Sequence, residues 1–250
     1  SEQSVGAVGL FTTLGLTNDQ FHGLFTVILL AMAAGTVVSA VTINPLFLGK
    51  QILIALMLIA VGALIDSFSN NLTRPQDMYL SQAMQAFAGA MFLGPALLIG
   101  LTRALQQGPT HFVSFSALYG MTQSLGGLLG SALIGTFQTV QEKVHSHAIV
   151  EHLTMTDPQV AARVASGGAA YGRVLGDPVL RSAEGAALLA QTATREANVL
   201  AYNDVFLLVS LIASGTFVWA AIHISRIRRE NLARAAAAEA QARLADGESF

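Results

Sequence analysis

The sequence contains no cysteine, which excludes disulfides, thiolate metal sites and a cysteine nucleophile and leaves the redox compartment open. Charge is also scarce. Asp, Glu, Lys and Arg make up 11% of the 250 residues, against about 25% in an ordinary soluble domain. The net charge is −2, so there is neither a basic excess that would suggest nucleic acid nor an acidic solvating field. The chain opens on serine, and no charged segment precedes a short apolar core; this start does not read as a signal peptide and suggests a portion of a longer chain. What is abundant is apolar: 53% of the residues. The expected fold class is an all-α polytopic membrane protein.

A helix crosses the hydrocarbon core with about 20 residues, because lipid offers no partner to an unpaired backbone group. Five stretches meet that length: 24–43, 52–68 with Asp66 near its end, 79–101, 112–137, and 205–224 with His223 before a run of arginines. Residues 5–16 are apolar but too short and read as the remnant of a sixth span. Basic residues near span ends orient the chain. Lys50, Arg103, Arg226, Arg228, Arg229, Arg234 and Arg243 fall on one side, and Arg74, Lys143 and Arg195 on the other. The tail, 225–250, is therefore expected in the cytoplasm, with an alanine-rich helix former over 235–244 that lacks an apolar docking stripe. Residues 138–203 are expected outside. Within them Asp157-Pro158 and Asp177-Pro178 each offer an N-cap followed by proline at the first helical position, so helices should begin there, the second running on into the last span.

Candidate functional residues follow from depth and spacing. Gln123 and Ser124 lie at the midpoint of 112–137, where an unpaired side-chain amide is costly. Gln82 and Gln85, three apart on one helical face, are expected to line the same cavity, and mid-depth cavities are where transporters bind substrate. Interhelical hydrogen bonding is the structural alternative. Gly126, Gly127, Gly130, Ser131 and Gly135 form overlapping small-xxx-small pairs suited to close helix packing. Gly94-Pro95 should kink the third full span. Asp66 and Asp204 are the carboxylates in or against a span. They are candidates for proton coupling, or else interfacial charges, Asp204 as the N-terminal charge of the last span. Histidines 145, 147 and 152, with Glu142 and Glu151, read as solvated surface; positions 145 and 147 diverge too far on a helix to share one metal. No metal or cofactor is called for.

The segment Gln123-Ser-Leu-Gly-Gly-Leu-Leu-Gly-Ser-Ala-Leu-Ile-Gly135 resembles the glycine-rich penultimate helix of major facilitator superfamily drug:proton antiporters of the EmrB/QacA type. Ala201-Tyr-Asn-Asp-Val-Phe206 resembles the opening of their last helix, and Leu14-Gly-Leu-Thr-Asn-Asp-Gln-Phe-His-Gly23 their link into the tenth. The resemblance covers nearly the whole chain and implies the C-terminal part of a 14-helix exporter. It departs at Gln123 and Ser124, where the family often carries arginine and glutamine, and at 44–51, where Lys50 is the one charge. The resemblance further implies a multi-pass protein of a bacterial inner membrane, proton-driven efflux of amphipathic toxic compounds, an N-terminal half of the same transporter as partner, and in some members a periplasmic membrane-fusion adaptor. The competing classes are a membrane-embedded enzyme, for which no intramembrane His/Asp or Ser/His set stands at helical spacing, and a polytopic scaffold that does not transport.

Overall fold

The computed structural model describes residues 6–42, 47–154 and 156–247, with side chains described except at 109–110 and 231–247. Its elements are helices α1 (Val8–Thr13), α2 (His22–Val41), α3 (Leu48–Asp66), α4 (Tyr79–Gln106), α5 (Pro109–Glu151), α6 (Pro158–Ala169) and α7 (Pro178–Gly247), with single 3-10 turns at Asn18–Phe21 and Pro75–Met78 and no strand among the described residues. Four helical stretches are long and apolar enough to cross a membrane: Asn18–Val41, Leu48–Asp66, Pro75–Gln106 and Pro178–Glu230. Chains of this kind satisfy their backbone groups internally and turn apolar side chains outward, as Leu29, Val41, Ile54 and Leu211 do here. The expected fifth span, 112–137, lies inside α5. That helix has the length, but glycines and the polar Gln123 and Ser124 dilute it below the other four.

Local signals explain the boundaries. α1 ends in a Schellman motif: Gly15 takes φ +88°, its N–H reaches Thr12 O and the Leu16 N–H reaches Phe11 O, each at 3.0 Å. The described part of the short sixth stretch is therefore one brief helix that turns straight into α2. Gly108 at φ +118° opens α5, with Pro109 at its first position. Both aspartate caps form: Asp157 Oδ1 accepts from the Gln159 N–H at 2.7 Å, and Asp177 Oδ1 from the Val179 N–H at 2.8 Å. The helix begun at Pro178 does run on into the last span and continues through the alanine-rich tail. Residues 138–203 are thus mostly helical, since α5 itself extends to Glu151.

α4 packs along both α2 and α3, while α7 packs against α3, α5 and α6. A buried cluster of Leu10, Phe11, Phe21, Leu24, Met78, Val199 and Phe206 joins α1, the start of α2, the start of α4 and α7. The closest backbone approaches lie away from the α5 glycines. A Cβ at Gly35 would collide with the Phe87 carbonyl of α4, and one at Gly62 would lie 2.7 Å from Gln85 Cγ and 3.0 Å from Ser81 O. Gly126, Gly127 and Gly135 meet nothing within 4 Å, and Gly126 and Gly127 are exposed. The tight packing expected of them is absent among the described residues, because α5 touches its neighbours on another face. Small residues on α2 and α3 take that role.

Candidate functional site

Asp66 closes the last turn of α3 and is 2% exposed. A carboxylate out of water must be paired or neutralised, and here every donor comes from the first turns of α4. Gln82 Nε2 donates to Asp66 Oδ2 at 2.7 Å and Gln85 Nε2 to the same oxygen at 2.8 Å. Ser81 Oγ donates to Oδ1. Ser81 and Gln85 are one turn apart, so they share the face that meets α3. Gly62, one turn before Asp66, lets that face approach: its missing side chain is where Ser81 O and Gln85 Cγ sit. Ser81 Oγ also lies 3.0 Å from Met78 O, so its single proton has two acceptors in reach.

The turn after α3 is held from α7. Ser69 Oγ donates to Asp66 O at 2.7 Å, and Asn203 Nδ2 donates to Ser69 O at 2.7 Å. Neighbouring residues of α7 then point to different helices, as steps of about 100° require. Tyr202 stands against Gly9 of the α1 helix, Asn203 serves the α3 turn, and Asp204 faces α5. Asp204 Oδ2 accepts from Gln141 Nε2 at 2.8 Å and lies 2.7 Å from His145 Nε2.

Several expectations change. Gln82 and Gln85 are brought together, on Asp66, and do not share a cavity with Gln123 and Ser124, which are exposed on α5. Asp204 is not a helix N-terminal charge, because α7 begins at Pro178; it is an interhelical partner. His145 is not bare surface but is bound to Asp204, whereas His147 and His152 remain exposed. Among the described residues no group of three or more His, Asp or Glu stands where a metal ion would be held. Ser81, Gly62 and Gln141 escaped the sequence reading. Ser81 with Gln85 has i, i+4 spacing that marks a polar face, but nothing local ties it to Asp66 across the intervening turn.

No protein-family model, no curated protein and no solved structure matches the chain.

Proposed function

We propose that the chain is the C-terminal portion of a major facilitator type exporter of amphipathic toxic compounds driven by protons, with Asp66 as a proton-carrying group. The observation that carries this reading is a carboxylate removed from water at the end of a membrane helix and met only by neutral donors. An intramembrane acid is costly and marks a functional site by default. Among the described residues no cation bonds to it, so the site is not a plain ion pair.

The geometry accommodates both protonation states with little motion. When Asp66 is ionised, Ser81 and the two glutamine amides donate to it. When Asp66 is protonated on Oδ1, its O–H can donate a hydrogen bond to Ser81 Oγ, whose own O–H turns to donate to Met78 O, 3.0 Å away. One hydroxyl rotation thus replaces one hydrogen bond by two, while Gln82 and Gln85 still reach Oδ2. Because the donors all belong to α4 and the acceptor to α3, a change in charge alters the α3–α4 contact directly. The exposed face of α5 with Gln123 and Ser124 remains the proposed substrate-facing surface of the complete transporter.

The test uses that complete transporter in proteoliposomes. Asp66→Asn should abolish export driven by a pH gradient, a loss of about 100-fold or more for a committed proton-transfer group. It should leave substrate counterflow, which needs no proton, near the original rate. Gradient-driven export at the original rate would overturn the assignment, and equal loss of counterflow and driven export would reduce Asp66 to a structural tie.

A further inference from the structure

At the opposite end of α3 from Asp66 lies an open groove of about 540 Å³ between α2, α3 and α4. Its wall is apolar: Val38 and Val41 of α2, Ile54 of α3 and Met91 of α4. Phe47 and Lys50 also line it and stand together, the ammonium 5.0 Å from the ring centroid. Lys50 is exposed, and no carboxylate pairs with it among the described residues. The groove is built rather than incidental. Gln51, 6% exposed, donates through Nε2 to Thr42 O at 2.9 Å and so ties the end of α2 to the start of α3. This is also the basic end of the molecule. Gly49 sits against Ile224 of α7, with its Cβ position 3.2 Å from Ile224 Cδ1, and Arg226, Arg228 and Arg229 follow.

An apolar trough that opens beside a membrane helix, lined at one end by a lysine that pairs with no carboxylate among the described residues, is complementary to one class of molecule: an anionic phospholipid, acyl chain in the trough and phosphate at the ammonium. We propose that this groove is a specific anionic-phospholipid site. An ordinary lipid-facing surface would offer the chain a place but no reason to prefer one headgroup; Lys50 supplies that reason. The inference requires the helices to lie in a bilayer and is independent of what the protein transports.

Trp219 is the one tryptophan of these 250 residues. In the complete protein, with every tryptophan outside this chain replaced by phenylalanine, Trp219→Phe with Ile54→Trp puts a single fluorophore in the groove. The variant is reconstituted in phosphatidylcholine vesicles containing graded fractions of dibrominated phosphatidylglycerol or dibrominated phosphatidylcholine. Half-maximal quenching should need about fivefold less of the anionic lipid, the ratio equivalent to about 1 kcal/mol for one lysine at an anionic surface. Lys50→Gln should remove the difference and Lys50→Arg should keep it. A tryptophan at position 64, on another face of α3, should show no preference. Equal quenching by the two lipids at position 54, an unchanged preference in Lys50→Gln, or the same preference at position 64 would each overturn the site. Should the position 54 variant fail to fold, Val41→Trp, at a residue 80% exposed, reads the same groove.

Discussion

Pro95 shows how single residues are reconciled with a bilayer. It lacks the N–H that would pair with Met91 O, four residues earlier, and lipid supplies no substitute. The missing bond is replaced from the neighbouring helix: Ser39 Oγ of α2 donates to Met91 O at 3.3 Å. Gly94 makes room for it, since a side chain there would strike Ser39 Oγ. Ser39→Ala should therefore lower stability by about 0.6 to 2 kcal/mol, read as a shift in the unfolding midpoint in mixed micelles. An unchanged midpoint would mean that Met91 O is satisfied otherwise. The His145–Asp204 contact belongs to the same scale. Its side chains are 27% and 32% exposed, so solvent screens the pair, and a double-mutant cycle with His145→Ala and Asp204→Asn should give a coupling of only about 0.5 kcal/mol. A coupling of zero would leave Gln141 as the sole partner of consequence.

At the scale of elements, the seams of the bundle are set by where small residues meet backbone. Gly35 and Ser39 are four apart on α2 and face Phe87 and Met91, also four apart on α4. Gly62 does the same between α3 and α4. Gly62→Val should drive its side chain into Gln85 and Ser81, costing about 1–3 kcal/mol as overpacking does and loosening the donors around Asp66. Gly126→Ala, on the open face of α5, should cost nothing in the isolated chain and gain at most about 1 kcal/mol from helix propensity. Thermal stability of both variants in detergent decides the matter; a larger loss for Gly126→Ala than for Gly62→Val would contradict the packing described. The small-xxx-small spacing of Gly35 and Ser39 was as legible in the sequence as that of the α5 glycines. Spacing alone does not say which face finds a partner.

For the whole molecule, α3 separates two ends of different chemistry. One carries Lys50 beside the arginines that follow Ile224; the other carries Asp66, its polar donors and the α5–α6–α7 assembly. The basic end is expected in the cytoplasm. These 250 residues hold no cysteine, so in the complete protein cleared of any other cysteine Ala162→Cys on the exposed side of α6 and Ala240→Cys in the tail report orientation. An impermeant thiol reagent on intact cells expressing the complete protein should label position 162 and spare position 240. The reverse pattern would invert the topology.

The sequence by itself determined the medium and most of the elements. With so little charge and such long apolar runs the chain forms helices long and apolar enough to cross a membrane, and its caps at Asp157 and Asp177, its glycines at 15 and 108 and its prolines at 109, 158 and 178 mark helix ends through short-range sterics and hydrogen bonds. Tertiary structure decided which polar residues meet. Asp66 and Gln82 are separated by a turn whose path no local rule sets, and Asp204 finds His145 only because α5 and α7 run past the apolar segment side by side. Lipid drives no helix against another by hydrophobicity, so the partners are chosen by close backbone fit and by the cost of an unsatisfied polar group. Both are properties of helix pairs, which no single segment displays.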